Sequence, residues 1–229
     1  MRLELYHGPS LIAPGHDIRV IASCVVTPSG NSKTGDLSQV YILPADNSPR
    51  HSEARVACCG DCPLKGPCYV NWGRGPHKVW SADRVQYDSK LHGPLFRLKP
   101  SRFGAGGDPA AAPARVWREI RKMAPSWRSY TQFWREGRFQ HMRKWCMASC
   151  HTIEQAEQAQ AKGWSPYVAL EPGETMPWAR MCPFETSGGL VQCRSCRLCD
   201  GRHGAVQITR HGSPASMNAW STIEREASK

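Results

Sequence analysis

Cysteine is the residue type whose number and spacing in this chain point most directly to chemistry. The 229 residues include 11 cysteines, most of which fall into two groups of closely spaced positions. The first group has the spacing C-x2-C-x5-C and the distal group C-x10-C-x2-C-x2-C: Cys59, Cys62 and Cys68, then Cys182, Cys193, Cys196 and Cys199. Two-residue gaps let the backbone turn so that successive thiolates converge on one centre. Both groups therefore predict metal ligands.

The alternative to metal ligation is disulfide bonding, and the choice depends on the redox compartment. The N-terminal stretch lacks the uninterrupted apolar run of a secretory signal, because Glu4, His7, Pro14 and Asp17 interrupt it. No apolar run elsewhere approaches membrane-spanning length, so we expect no membrane partner. The sequence thus predicts a cytoplasmic protein. In a reducing cytosol, clustered cysteines are expected to bind metal.

The number of thiolates in each group bears on which metal it would hold. The distal group supplies four, which suits both tetrahedral zinc and a [4Fe–4S] cluster, and three close cysteines plus a remote one favour iron–sulfur. The first group supplies three, which would leave one iron of a cluster open to a small-molecule ligand. Cys58 directly precedes Cys59, and the sequence leaves open whether it is a fourth ligand or a packed thiol.

Hydrophobic patterning predicts the elements that would position these cysteines. Strands alternate with helices along the chain, which predicts an α/β fold, either a partial (βα) barrel or an open parallel sheet. Predicted strands cover residues 18–26, 37–43, 95–98, 126–133, 146–150, 165–170 and 205–209; predicted helices cover 77–90, 114–124, 134–144 and 152–162. We predict an α/β core over residues 1–171 that carries the first group. A cysteine-rich, metal-stapled module at 172–212 would close onto it, followed by a polar tail at 213–229.

The first cysteine group resembles that of radical S-adenosylmethionine enzymes. In that family the first strand of a partial barrel leads into a loop whose three cysteines hold a [4Fe–4S] cluster, with an aromatic residue beside the last. Here the strand at 37–43 precedes the group, and Tyr69 adjoins Cys68. The resemblance implies an open cluster that binds S-adenosylmethionine, with an auxiliary cluster on the distal group. The spacing departs from the family's common C-x3-C-x2-C.

A glycine run further along the chain adds to this resemblance. The family has a Gly-Gly-Glu-Pro-like turn that meets the methionine amino group, and this chain has Gly106, Gly107 and Asp108 followed by Pro109. The resemblance implies that Gly106, Gly107 and Asp108 bind the cofactor. From the residues alone, the glycines allow either close approach of a ligand or a tight turn between a strand and a helix.

The charge distribution supports a second hypothesis. The net charge is +11, and residues 114–145 hold nine Lys and Arg against two Glu, interleaved with seven aromatic residues. This mixture is typical of surfaces that bind nucleic acid, and also of an ordinary helix with a solvated face. The cysteine layout also resembles cysteine-rich proteins encoded by bacteriophages. The alternative to an iron–sulfur protein is therefore a zinc-stapled, non-enzymatic phage protein that binds nucleic acid or a host factor, acting in the host cytoplasm.

Overall fold

The computed structural model describes residues 1–65, 68, 70–211 and 217–218. The chain forms two compact units, each made of two stretches of sequence. The first unit comprises Met1–Asp61 and Val70–Arg128, and the second comprises Cys62–Tyr69 and Ser129–Lys229. The division therefore passes through the first cysteine group.

The first unit contains a mixed sheet and four short or medium helices. Its strands are β1 (Leu3–Pro9), β2 (Asp17–Ser23), β3 (Ser38–Pro44), β4 (Val85–Gln86) and β5 (Ser101–Phe103). Its α-helices are α1 (Val56–Cys59), α2 (Gly75–Trp80), α3 (Ser89–His92) and α4 (Ala114–Met123), with 3-10 helices at Gly93–Leu98 and Pro109–Ala111. β6 (Trp127–Thr131) begins in this unit.

Strand β3 is the centre of the first unit. The strands follow the order β4-β1-β2-β3-β5, in which β1–β2 and β2–β3 are antiparallel and β3–β5 is parallel. Six of the seven residues of β3 are buried, so side chains on both faces of this strand pack against protein. Ile42 and Leu43 are fully buried there, as is Phe103 on β5. Such continuous burial is typical of a strand covered on both faces.

Helix α4 packs one face into the first unit's core. Val116, Trp117 and Ile120 are buried at the spacing expected for one helical face. The Trp117 Nε1 donates to the carbonyl of Pro109 at 2.9 Å, and its ring lies 5.2 Å from that of Phe103. The helix is therefore fixed against β5 and against the turn that follows it.

The second unit is built on a parallel sheet. Besides β6, its strands are β7 (Met147–Cys150), β8 (Pro166–Leu170), β9 (Arg180–Met181) and β10 (Val206–Thr209). They follow the order β6-β7-β8-β10-β9. The pairs β6–β7, β7–β8, β8–β10 and β10–β9 are all parallel. The helices are α5 (Ile153–Ala161), α6 (Pro183–Thr186) and α7 (Cys193–Cys196), with 3-10 helices at Phe133–Arg135 and Gly137–Lys144.

The predicted open α/β sheet is confirmed, although it is mixed in the first unit and parallel in the second, and the partial barrel is not formed. In the described part of the chain, the end strands β4 and β9 each pair on one side only, so the strand order does not close. Residues 172–211 of the predicted cysteine-rich module lie in the second unit together with residues 129–171. The predicted tail lies outside the described residues apart from Met217 and Asn218.

Three predicted elements were wrong in type or extent. The strand at 95–98 is a 3-10 helix, because Gly93 and Pro94 start a tight turn. The helix at 77–90 ends at Trp80, where the Arg84 guanidinium donates to the Trp80 carbonyl, and β4 and α3 follow. The helix at 134–144 is two 3-10 helices separated at Glu136.

Candidate metal centre

The first unit holds Cys58 and Cys59 side by side in α1. Both thiols are buried, and their Sγ atoms lie 3.7 Å apart. The contact with the Cys58 thiol, together with burial and the nearby Asp108 carboxylate, holds the pKa of Cys59 well above its ordinary value. Cys59 is therefore a protonated, packed thiol in this structure, and a metal would have to displace its proton.

The glycine run lies against this helix. The backbone N–H of Asp108 donates to the Cys58 carbonyl at 2.7 Å, while its carboxylate accepts from the Ala110 N–H at 2.8 Å. Gly107 has φ +81°, and a Cβ there would lie 2.3 Å from the Ile42 carbonyl oxygen. The group that approaches Gly107 closely is therefore the backbone of β3. The Asp108 carboxylate caps the 3-10 helix at Pro109–Ala111.

The first unit also has a cavity of about 430 Å³ beside α1. It lies at the carboxyl end of β3 and the start of β2, and Ala57 of α1 lines it. Its other lining residues are mostly polar or acidic: Gly15, His16, Asp17, Pro44, Ala45, Asp46, Asn47, His51, Glu53 and Ala54.

In the second unit, cysteines from both groups of the sequence meet in one apolar cluster. Cys182 and Cys199 are buried members of it, and Cys62 packs against it. The other members are Leu64, Met147, Ala169, Val206 and Ile208, with Tyr130, Tyr167, Phe184 and Leu198 packed around them. We call this set the thiol cluster. It places a cysteine of the first group beside two of the distal group.

The hydroxyl of Tyr130, which packs against this cluster, is affected electrostatically by a further cysteine, Cys193. Burial raises the pKa of the Tyr130 hydroxyl well above its ordinary value, and the neighbouring Cys199, Tyr167 and Cys193 raise it further. The rings of Tyr130 and Tyr167 lie 4.6 Å apart. Cys199 therefore contacts this hydroxyl group through a hydrogen bond, and Cys193 acts on it electrostatically.

The backbone fixes both ends of the distal group to the parallel sheet. The Cys182 N–H donates to the Gln207 carbonyl of β10 at 2.9 Å, and the Cys199 carbonyl accepts from the Ser129 N–H of β6 at 3.1 Å. Two residues after Cys199, Gly201 has φ +86°, and a Cβ there would lie 2.5 Å from the backbone nitrogen of Cys146. This glycine therefore allows the turn to lie against the start of β7.

The remaining predicted ligands are half-buried in the second unit. Cys68 belongs to this unit by its position in Cys62–Tyr69, and Cys196 ends the single turn of α7. No disulfide joins cysteines within the described residues, and no group of three or more His, Cys, Asp or Glu side chains there has metal-binding geometry. The donors fit a thiolate centre by their chemistry and shared packing, but they would have to converge when a metal binds.

Sequence reasoning missed a polar network at the carboxyl ends of the parallel strands. The network consists of the residues that directly follow β6, β7, β8 and β10: Gln132, His151, Glu171 and Arg210. The His151 Nε2 lies 2.9 Å from Gln132 Oε1, and the Arg210 guanidinium pairs with Glu171. Burial, with the nearby Arg135 and Arg210, lowers the pKa of His151 to about 4. Only the rule that polar groups gather at this edge of a parallel sheet could have indicated it.

Most aromatic rings of the basic aromatic segment at 114–145 are buried in the cores of the two units. Trp117, Trp127, Trp134, Phe139 and Trp145 are all buried. Several arginines stack on the chain's own rings, for example Arg135 at 4.1 Å from the Trp134 ring centre. These indoles and the Phe139 ring are therefore unavailable for base stacking, so the predicted nucleic-acid contact would depend mainly on the exposed cations.

Among the described residues, no helix is both long enough and apolar enough to cross a membrane. The chain was compared with known proteins in three ways. No protein-family model, no curated protein and no solved structure matches it.

Proposed function

We propose that this chain is an iron–sulfur protein whose principal centre lies in the second unit and is held by thiolates of the distal group. One observation carries the proposal: Cys182 and Cys199, from opposite ends of that group, are buried in one apolar cluster. A [4Fe–4S] cluster is held by cysteine thiolates, and two of the candidate thiols lie in this apolar cluster.

The residues around the thiols define the surroundings of the centre. Leu64, Val206 and Ile208 are buried apolar members of the thiol cluster. The Tyr130 hydroxyl forms a hydrogen bond with Cys199 that contributes to its raised pKa. When bound, an iron–sulfur cluster supplies electron transfer, and hydrogen bonds to its sulfur ligands tune the reduction potential. Tyr130 is therefore placed to tune such a centre.

The test is metal and sulfide analysis of the full chain purified without oxygen. Iron with matching acid-labile sulfide and a brown colour supports the proposal, whereas a colourless protein that holds only zinc contradicts it in favour of a zinc-stapled chain. Cys182→Ala should lose the centre. Cys150→Ala is the matched control, because Cys150 is a buried thiol of the same unit outside the thiol cluster.

The radical S-adenosylmethionine form of the function has narrower support. It depends on the contact of Asp108 with Cys58, on the adjoining cavity, and on the motif resemblance. If the reduced protein cleaves S-adenosylmethionine to 5′-deoxyadenosine, that chemistry is present. If it holds iron and sulfide yet forms no 5′-deoxyadenosine, the centre serves electron transfer or structure.

A further inference from the structure

The segment Cys62–Tyr69 belongs to the second unit, although the sequence groups Cys62 with Cys59 of the first. We propose that Cys62 is a ligand of the same metal centre as Cys182 and Cys199. The two cysteine groups of the sequence then contribute to one shared centre, and the first group is not a ligand set of its own. This inference rests on the proposed function and specifies the ligands of its site.

The packing around Cys62 carries the proposal. Cys62 lies against the cluster in which Cys182 and Cys199 are buried. Leu64 is only 6% exposed and is itself a member of that cluster, so it fixes the short segment in place two residues after Cys62. The Lys65 N–H donates to the Cys62 carbonyl at 3.0 Å, which closes a turn around Leu64. Cys62 is thus held beside the distal thiols by local structure.

The other cysteines of the first group have different neighbours. Cys59 is buried in the first unit, with its Sγ 3.7 Å from that of Cys58 and with Asp108 nearby. Its contacts are those of a packed thiol pair. Cys62 instead packs among side chains that already include two thiols from the distal group. Spacing in the sequence suggests a pair of ligands at 59 and 62, whereas packing pairs Cys62 with Cys182 and Cys199.

A shared centre also has a structural consequence. It would join the segment at 62–65 to residues 182–199, two stretches far apart in the chain, and metal binding would then contribute to the folding of the second unit. Cross-links that close long loops remove the most conformational freedom from the unfolded chain. Loss of Cys62 should therefore remove metal and loosen the distal group together.

The first experiment compares metal content among full-length variants purified without oxygen. Cys62→Ala and Cys199→Ala should each lose the same amount of iron and sulfide per chain, and the double variant should lose no more than either single one. Cys59→Ala and Cys150→Ala serve as matched buried-thiol controls and should retain that metal. Full metal in Cys62→Ala, or additive losses in the double variant, would overturn the shared centre.

A second measurement uses the wild-type chain, so that misfolding of a variant cannot decide the result. Iodoacetamide labelling is followed at each cysteine by mass spectrometry while a chelator removes the metal. Cys62 and Cys199 should become labelled in the same step. Labelling of Cys62 that is independent of metal contradicts this inference alone. A wild-type chain that holds no metal, and takes up none from ferrous iron and sulfide, contradicts the proposed function itself.

Discussion

The two units treat their cysteines in different ways. In the first unit, Cys58 and Cys59 lie on α1, which is joined to the glycine run by a hydrogen bond from the Asp108 N–H to the Cys58 carbonyl. Gly107 of that run lies against β3. In the second unit, thiols from two distant stretches meet in an apolar cluster edged by half-buried side chains. The difference shows that cysteines close in sequence can have different neighbours, because the elements on which they lie decide where each thiol packs.

The largest effect should come from replacing Gly107, which lies against β3 in the first unit. Gly107→Ala places a Cβ 2.3 Å from the Ile42 carbonyl oxygen at a φ of +81°. Positive φ and a backbone clash together should lower the free energy of unfolding by at least about 3 kcal/mol. Urea denaturation measures this change, and the thiols of Cys58 and Cys59 should become easier to label.

Gly106→Ala is the matched control for that change. A Cβ at Gly106 meets its nearest atoms, on Pro76, Trp72 and Tyr41, only at 3.4 Å. Its cost should stay below about 1 kcal/mol, because the side chains have room to adjust. Equal losses of unfolding free energy in the two variants would show that the close contact between Gly107 and β3 does not control the stability of this region.

The second unit should be the more sensitive to acid. Burial and the nearby Arg135 and Arg210 lower the pKa of His151 from 6.5 to about 4. Between these values the unfolded chain binds a proton that the folded chain does not, so stability falls as the pH falls from 6.5 towards 4. At about 1.4 kcal/mol per pH unit, the loss from this residue approaches about 3 kcal/mol.

Hydrogen exchange measured by mass spectrometry separates the two units in this test. Protection around β7 and β10 should fall between pH 6.5 and 4, after correction for the intrinsic exchange rate, while protection of β3 should change less. In His151→Gln, the difference in β7 protection across this pH range should be smaller. An unchanged acid response in that variant would mean that His151 is not the group responsible.

The fold could be predicted from sequence wherever hydrophobic patterning and helix signals agree. Thr152 is the N-cap of α5 and accepts from the Gln155 N–H, and Gly163 just beyond the helix adopts a positive φ. The apolar stripe of α4 likewise has the face that its spacing predicts. These signals are local, and local signals predicted the open α/β fold.

What sequence reasoning missed depends on contacts between distant residues. Strand β1 has only two buried residues, Leu3 and Glu4, so it lacks an apolar run, and pairing with β2 and β4 forms it. The thiol cluster was missed for the same reason, because no spacing rule links Cys62 to Cys182. The network around His151 required the order of parallel strands, which the sequence alone does not give.

A smaller effect should appear in the reactivity of the thiols. Cys193 and Cys196 are half-buried, whereas Cys59 is buried with a pKa well above its ordinary value. Since the thiolate is the reactive form and the reagent must reach the sulfur, iodoacetamide should label Cys193 and Cys196 faster than Cys59 in the metal-free protein. Mass spectrometry of timed samples measures the rates, and comparable rates would contradict the proposed contrast between the two thiol environments.

The smallest effect should come from the exposed charges of the basic segment. The Arg138 side chain is 57% exposed and pairs with Glu136 at 2.7 Å, so Arg138→Ala should change the free energy of unfolding by no more than about 0.5 kcal/mol. Arg128 is the contrasting residue, because it is 1% exposed and donates to the Trp127 carbonyl.

If nucleic acid binds this segment, Arg138→Ala should weaken binding and lessen its dependence on salt. Trp134→Phe should leave binding unchanged, because that ring is fully buried. Filter binding across a salt series measures both variants. A strong loss in Trp134→Phe with stability intact would show that this indole stacks on bases after all.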